Sequence, residues 1–248
     1  MAYRPTARTE AARVAQRERL LEAARGLLAE GGYAATGVAA VAERAGVATG
    51  SVYRHFASRQ ELLAAVFAHV AGHELTAVRD AVHARSGAAE QLRALVEVFS
   101  RRALRSPRTA WALLAEPVDP LVQIERLAYR HGYLALAREA VAAGVAAGEL
   151  PAQDPSLSAA AVVGAIGEAL LGPLSPVGAF TAPGAEVGAD PSADPSAEPS
   201  AEPGAPARTD MVTQQLAALC LRALGATTNP ERPGPPHVPA TTRDRTAP

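Results

Sequence analysis

Apolar residues recur along this chain at intervals of three and four, the spacing of an amphipathic helix. At the N-terminus this pattern predicts a helix over residues 10–30, which Gly31 and Gly32 end. The same spacing, with clear start and stop signals, predicts six further helices over residues 59–84, 88–104, 107–115, 120–147, 154–171 and 209–224. Ser58 and Glu61 form the capping box that starts the first of these. The pattern therefore predicts an all-α protein.

The stretch from Thr36 to Phe56 is typical of a short helix, a tight turn and a second short helix. Thr36 is expected to cap the first helix and Thr49 the second, because a threonine hydroxyl can accept a bond from a free N–H of the first turn. Gly46 supplies the positive φ that lets the chain reverse. Such a helix-turn-helix occurs in DNA-binding proteins and also in helical hairpins that never contact DNA.

Composition favours the first of these interpretations. Aromatic residues make up 4% of the chain, and the apolar fraction is mostly Ala, Leu and Val, which favours helices over a β-sandwich. Residues 1–60 contain nine arginines and five glutamates, a net charge of +4, although the whole chain is at −1. A basic N-terminal part on an acidic remainder is typical of a protein that binds nucleic acid with one end.

Other kinds of chemistry find little support in the sequence. The single cysteine, Cys220, excludes an internal disulfide and a cysteine-based zinc site, and no third ligand accompanies His69 and His73. Because no nucleophile–base set or phosphate-binding glycine loop is present, we expect neither enzymatic activity nor a cofactor. No apolar run reaches the roughly 18 residues of a membrane span, and residues 1–10 lack the apolar core of a signal peptide. These features predict a cytoplasmic protein that does not contact a membrane.

Residues 36–66 resemble the N-terminal signature of the TetR family of bacterial transcriptional regulators. The matching residues are Thr36, Val38, Val41, Ala42, Ala45-Gly46-Val47, Gly50-Ser51-Val52-Tyr53-Arg54-His55-Phe56 and Arg59-Gln60-Glu61-Leu62-Leu63. With the preceding helix, the resemblance covers about the first 65 residues. Arg59 stands where the family usually has a phosphate-contacting lysine, and arginine keeps that charge. The segments WALLAEPVDP and RLAYRHGY also look like the regulatory domain of some actinobacterial TetR-type proteins.

This resemblance implies a three-helix DNA-binding domain over residues 10–63 and a helical regulatory and dimerisation domain over residues 64–225. Residues 1–9 are expected to be a disordered arm, and residues 226–248 a disordered tail. Residues 173–207 read as a disordered acidic insert, because proline at every fourth position forbids a continuous helix. The residues expected to contact DNA are Thr36, Val38, Thr49, Gly50, Ser51, Tyr53, Arg54, His55 and Arg59.

The implied function is that of a repressor that binds a palindromic operator as a homodimer and is released by an unidentified small-molecule effector. Candidate pocket residues combine apolar bodies with polar groups: Phe99, Trp111, Leu114, Glu116, Arg126, Tyr129, Arg130, Tyr133 and Glu168. Each of these could instead be an ordinary core residue or part of a structural ion pair. A helical protein that binds a partner or a small molecule without DNA is the alternative function.

The last two helices are the expected dimer interface. The resemblance implies that they pair with their copies in a four-helix bundle, through Val163, Gly164, Gly167, Leu170, Met211, Gln215, Leu216 and Leu219. The residues themselves leave a second possibility open, in which both helices belong to the core of a monomer.

Overall fold

The computed structural model describes residues 7–176 and 205–226, apart from the side chains of residues 205–207. The described residues form nine α-helices and no strand, so the predicted all-α class is confirmed. They are α1 (Ala7–Ala35), α2 (Val38–Arg44), α3 (Thr49–Tyr53), α4 (Arg59–His83), α5 (Ala88–Arg105), α6 (Pro107–Leu114), α7 (Pro120–Ala146), α8 (Pro155–Leu174) and α9 (Ala205–Ala223).

Three predicted segments coincide only in part with the described residues. The predicted arm overlaps the start of α1, which begins at Ala7, and its residues 1–6 lie outside the described ranges. The predicted insert overlaps the ends of two helices, since α8 continues to Leu174 and α9 begins at Ala205. Residues 177–204 and 227–248 lie outside the described ranges, and with them most of the insert and the tail.

Local signals set most helix ends. The backbone of Gly32 adopts φ 67° and ψ −158°, which breaks α1 at the predicted glycine pair. Gly46 has φ 66° in the turn between α2 and α3, as its position predicts. The Ser58 hydroxyl accepts a bond from the Glu61 N–H at 3.1 Å, and the Glu61 carboxylate accepts one from the Ala57 N–H at 2.6 Å. The predicted cap of α4 is therefore confirmed.

The two threonine caps predicted for the helix-turn-helix are wrong. The N-cap of α2 is Gly37, and the N-cap of α3 is Ala48, neither of which makes a side-chain cap bond. Thr36 is fully buried, and its hydroxyl donates instead to the Gly32 carbonyl at 2.8 Å. Thr49 is the first residue of α3 rather than its cap. The Thr36 hydroxyl, which the capping rule assigned to α2, is therefore used in a hydrogen bond at the buried bend of α1.

The described residues form two apolar cores that α4 connects. We call residues 7–71 the head and residues 72–176 with 205–226 the body. The head core takes the first half of α4, from Leu62 to Ala71, and the body core takes Leu75, Val78 and Val82. Two side chains of the body, Ala112 and Val122, also belong to the head core. The head core therefore extends further along α4 than residue 63, the predicted domain boundary.

The sequence predicted that no apolar run reaches the length of a membrane span, and helix α8 contradicts this prediction. By length and composition alone it is sufficient to cross a membrane, and about a third of it is buried in this chain. It packs against α5, α6 and α7. A core helix of a helical protein has the same length and composition, so this finding does not by itself indicate a membrane.

Candidate nucleic-acid interface and body cavity

The exposed surface of α3 is held in place by two buried anchors. Val52 and Phe56 are almost completely buried in the head core, which fixes the rotation of this five-residue helix. Tyr53 is consequently directed outward, with 52% of its surface exposed. Arg54 is also exposed, and its Nη2 donates to the Ser51 hydroxyl at 2.6 Å. A rigid helix that presents small and polar groups has the dimensions to enter a DNA major groove.

His55 lies at the basic edge of this surface. Burial, together with the nearby Arg13, Arg54 and Arg17 guanidinium groups, lowers the pKa of its imidazole. Its Nδ1 is buried and has no hydrogen-bond partner among the described residues. Arg17 also lies over the Phe56 ring, with its guanidinium carbon 5.2 Å from the ring centroid. These arginines of α1 add positive charge beside α3, and Arg17 was not among the predicted DNA contacts although its i, i+4 spacing from Arg13 could have indicated a shared face.

Three of the predicted DNA contacts lie elsewhere. The Thr36 and Val38 side chains are buried in the head, so neither is available to DNA. Arg59 lies at the junction of head and body, where its Nη1 is 3.6 Å from the Asp119 carboxylate and its Nη2 donates to the Tyr33 carbonyl at 3.4 Å. The contact with Asp119 was not predicted because that residue is sixty positions away in the sequence, and since the Arg59 side chain is 47% exposed, its contact with DNA stays a prediction. The other six predicted residues lie together on α3 and the turn that follows: Thr49, Gly50, Ser51, Tyr53, Arg54 and His55.

An ion pair connects the head with the body. Arg108 of α6 donates from Nη1 to the Glu116 carboxylate at 2.8 Å and from Nη2 to the Gly31 carbonyl at 2.9 Å. The same carboxylate accepts a bond from the Tyr33 N–H at 3.2 Å. A Cβ on Gly32 would collide with the Arg108 guanidinium, so the glycine permits this close approach. Glu116 was predicted to line a pocket in the body, but it binds the end of α1 instead.

The body contains a cavity of about 320 Å³ whose walls come from α4, α5, α6, α7 and α8. Six of the nine predicted pocket residues line it: Phe99, Leu114, Arg126, Tyr129, Arg130 and Tyr133. Two others are placed differently, since Trp111 packs against the body core outside the cavity and Glu168 is exposed on α8. The lining residues meet the geometric requirement for a binding site, and their role in binding stays a prediction.

Aromatic pairs and one ion pair shape this cavity. The rings of Phe99 and Tyr133 meet edge to face with centroids 5.1 Å apart, and Tyr129 donates its hydroxyl to the Ala68 carbonyl at 2.8 Å. Burial raises the pKa of both tyrosine hydroxyls, so both stay neutral. Glu74 and Arg102 form an ion pair in the wall, with Arg102 Nη2 donating to the carboxylate at 2.9 Å. The sequence prediction missed this pair because its members lie on different helices.

The predicted dimer residues divide into exposed and buried groups. Leu170 and Leu216 are buried in the body core and cannot form an exposed interface in this conformation. Met211, Gln215 and Leu219 are exposed on α9, with Leu219 exposed to 52%. On α8, Val163 and Gly167 line the cavity, whereas Gly164 is half-buried and has no other atom within 4 Å of the position a Cβ would take. The correction for the two leucines follows from the rotation of each helix, which sequence spacing does not fix.

Metal-binding geometry is not apparent in the described part of the chain. Within it, no group of three His, Cys, Asp or Glu side chains is placed to hold an ion. The His69 and His73 rings lie 4.6 Å apart on α4, and His69 Nδ1 is 3.8 Å from the Glu18 carboxylate of α1. Burial and the neighbouring His73 lower the pKa of His69. These side chains therefore form a contact between α1 and α4.

The nine helices of the described residues, with a helix-turn-helix in the head and a cavity in the body, form an arrangement that is typical of helical DNA-binding proteins. Residues 20–66 match the family model of bacterial regulatory proteins of the tetR family. Over these residues the chain is similar to the N-terminal domain of the TetR family. This match lies within the head and includes the motif and its two buried anchors.

Two curated relatives share sequence with part of the chain. The transcriptional activator FasR of Mycolicibacterium smegmatis is 37% identical over 84 residues, which are 34% of this chain and 38% of that protein. The transcriptional repressor KstR of Rhodococcus jostii is 47% identical over 53 residues, which are 21% of this chain and 25% of that protein. The chain therefore matches less than half of the length of either relative.

Solved structures share the fold over a larger part of the chain. The fatty acid degradation regulator FadR of Bacillus halodurans superposes with a TM-score of 0.59 at 18% identity, covering 82% of this chain and 97% of that one. FadR of Bacillus subtilis, solved in complex with stearoyl-CoA, superposes with a TM-score of 0.55 at 22% identity over 62% of this chain and 84% of that one. At such identities these likenesses establish the fold alone.

Proposed function

We propose that the protein is a transcriptional repressor that binds a near-palindromic operator as a homodimer and is released by a small-molecule effector. The observation that carries this proposal is the exposed surface of α3, on which Tyr53 and Arg54 face outward while Val52 and Phe56 hold the helix in the head. In a dimer, two such helices would enter successive major grooves roughly 34 Å apart.

The body supplies a place for the effector. Its cavity contains apolar and aromatic walls with a few polar groups, which is the usual make-up of a small-molecule site. Helix α4 and the Arg108–Glu116 pair join this body to the head. A ligand that binds one conformation of the body more tightly would thereby change the spacing of the two heads. Its relatives include both an activator and a repressor, and we propose repression because such a change of spacing releases DNA.

DNA binding is tested by selecting ligands for the full chain from random-sequence duplex DNA and then measuring affinity across a salt series. We expect a specific sequence to be enriched and its affinity to fall steeply with salt, because phosphate contacts release counterions. Arg54→Gln should weaken binding and lower the slope of log affinity against log salt by about one. Arg79→Gln, an exposed arginine on the body half of α4, is the matched control and should change neither quantity.

The alternative function gives a different result in the same experiment. A helical binding protein without DNA would enrich no sequence at any salt concentration, although its dimer and its ligand site were intact. Equal weakening by Arg54→Gln and Arg79→Gln would also contradict the proposal, since it would mean that binding depends on overall charge and not on α3.

A further inference from the structure

The charges around the body cavity do not balance. Of the described residues that line the cavity, Glu74 is acidic, and Arg102, Arg126 and Arg130 are basic. Glu74 is neutralised by Arg102. Arg126 and Arg130 make no ion pair within the described ranges, and they lie one helical turn apart on α7, on the same face. The cavity therefore carries two positive charges that its own walls do not compensate, and an uncompensated charge in a partly buried site favours an anionic ligand.

The hydrogen bonds of the Arg126 guanidinium leave one of its nitrogens without a partner among the described residues. Its Nη2 donates to two main-chain carbonyls, those of Ala112 at 3.1 Å and Glu116 at 2.8 Å, and its Nη1 donates to the Gln123 side chain at 3.2 Å. Its Nε is buried and has no hydrogen-bond partner among the described residues. A buried donor without a partner costs free energy, and an acceptor from a ligand would remove that cost.

A carboxylate forms its strongest pair with arginine through two parallel bonds, to Nε and to the neighbouring Nη2. In this protein Nη2 already holds the Ala112 and Glu116 carbonyls, and Nε is buried. A carboxylate can use this edge only if the guanidinium turns toward the cavity and releases at least one of the carbonyls. Ligand binding is therefore coupled, through Arg126, to the structure of residues 108–122, which we call the α6–α7 corner.

The α6–α7 corner is also the part of the body that contacts the head. The side chain of Glu116 accepts the Tyr33 N–H and pairs with Arg108, which in turn holds the Gly31 carbonyl. When the main chain of Glu116 loses its bond to Arg126, these contacts to the end of α1 lose their support. The end of α1 leads directly into α2 through Gly37, so the disturbance reaches the helix-turn-helix.

We infer that the effector is a small amphiphile with a single anionic group, whose apolar part fills the aromatic cavity while its carboxylate pairs with Arg130 at the mouth and then with Arg126, releasing the corner that binds the head. This inference rests on the proposed function for its regulatory consequence, whereas the preference for an anion can be measured without DNA. Arg130 is exposed and acts as the first contact. Arg126 acts as the switch.

The preference is tested with three probes of one chain length and different charge: octanoate, 1-octanol and octylammonium. The fluorescence of Trp111, the single tryptophan, reports binding because it lies on α6 next to the residues that line the cavity. We expect octanoate to bind at least tenfold more tightly than 1-octanol, since a charged hydrogen bond is typically worth about that factor or more. Octylammonium should bind most weakly.

Two variants assign the site. Arg130→Gln should weaken octanoate binding by roughly tenfold and leave 1-octanol unchanged. Arg138→Gln, an exposed arginine further along α7 that does not line the cavity, should change neither affinity. Equal affinities of the parent protein for all three probes would overturn the inference. An octanoate preference that survives Arg130→Gln in full would overturn the assignment to this site.

The regulatory step is tested on the selected DNA. Octanoate should lower DNA affinity of the parent protein several-fold, and 1-octanol should not. Glutamine is shorter than arginine and uncharged, so Arg126→Gln should hold the two carbonyls less well, bind DNA more weakly without ligand and lose the response to octanoate. If octanoate binds as predicted but DNA affinity does not respond, the switch is overturned and the anion site stands. If no DNA is bound at all, the proposed function fails while the probe series still decides the ligand class.

Discussion

At the scale of single residues, Glu116 shows how one side chain can carry much of a domain contact. Replacement by alanine would leave the Arg108 guanidinium and the Tyr33 N–H without their partner at a half-buried junction. We expect Glu116→Ala to lower the free energy of unfolding by about 1 to 3 kcal/mol. Urea unfolding followed by circular dichroism measures this change.

The matched control is Glu30→Ala, which removes an ion pair between Glu30 and Arg44 on the exposed surface of the head. Pairs of that kind contribute little because water solvates both partners. The midpoint of the control should therefore equal that of the parent protein. Equal effects of both replacements would mean that the junction pair behaves as a surface pair.

His55 gives the protein a predicted dependence on pH. Its pKa in the folded protein lies below the ordinary value of 6.5, so the unfolded chain takes up a proton first as the pH falls. The stability that neutral His55 contributes is complete above 6.5 and is lost as the pH falls toward the lowered folded pKa. His69 is shifted in the same direction and should add to the loss.

Urea midpoints measured from about pH 8 to about pH 5 check this expectation. The parent protein should lose stability on acidification, and His55→Gln should lose less. At the alkaline end both histidines are neutral in both states, so any difference there reports packing and serves as the reference. A variant that follows the parent curve in parallel would show that His55 is not a source of the pH dependence.

The sequence predictions for single residues were confirmed where a local rule determines the structure. Ser58, Gly32 and Gly46 all act within a few residues of their own position. The cap predicted at Thr36 was wrong because its hydroxyl bonds to the Gly32 carbonyl at the bend of α1. The contact between Arg59 and Asp119 was not predicted because it joins distant parts of the sequence. When a polar side chain can bond to several partners, the local sequence does not determine which partner it takes.

At the scale of helices, the body depends on close contacts that glycine permits. A Cβ on Gly144 of α7 would lie 2.5 Å from the Cβ of Ala88 and 2.8 Å from Leu150 Cδ1. These neighbours are short or buried and cannot move aside cheaply. We expect Gly144→Ala to destabilise the protein by about 1 to 3 kcal/mol, although alanine is the better helix former.

Gly26→Ala provides the comparison for this prediction. Its Cβ would contact only the flexible end of Arg44, at 3.0 Å, so the gain in helix propensity should dominate. Thermal or urea unfolding should show a small stabilisation of roughly 0.5 to 1 kcal/mol. Destabilisation of both variants to the same extent would contradict the packing explanation.

Helix ends were predictable where capping residues or prolines mark them, as at Asp154 and Pro155 of α8. The rotation of a helix was harder to predict, since α8 is apolar on nearly every side. Glu168 was assigned to the pocket for that reason, yet it faces outward while Gly167 beside it lines the cavity. Apolar spacing indicates which side chains face inward, but a cavity depends on what the facing helices leave empty.

At the scale of the whole molecule, the outer sides of α8 and α9 are the proposed contact with a second copy. Leu219 is half-exposed, and Gly164 has no atom near the position of a Cβ, so large residues fit at both sites within one chain. We expect Gly164→Arg and Leu219→Arg to fold normally and to run as monomers in size-exclusion chromatography with light scattering. Both should also lose operator binding, because one head alone makes half of the contacts.

Thr76→Arg adds the same side chain to an exposed position on α4, and it should stay dimeric. A parent protein that is monomeric at all concentrations would contradict the homodimer. Dimers formed by both α8 and α9 variants would place the contact on another surface. The family resemblance implied these two helices as the interface, but it also placed Leu170 and Leu216 there, and the structure buries both in the body core.

The core that α4 shares between head and body has a consequence for protein engineering. The head core includes Ala112 and Val122 of the body, and the end of α1 is bonded to Arg108 and Glu116. A head that was transplanted onto the body of another regulator would lack these partners unless residues 108–122 were transplanted together with it. Chimeras joined within α4 alone should therefore be poorly folded, whereas those that also exchange this corner should retain both DNA specificity and ligand response.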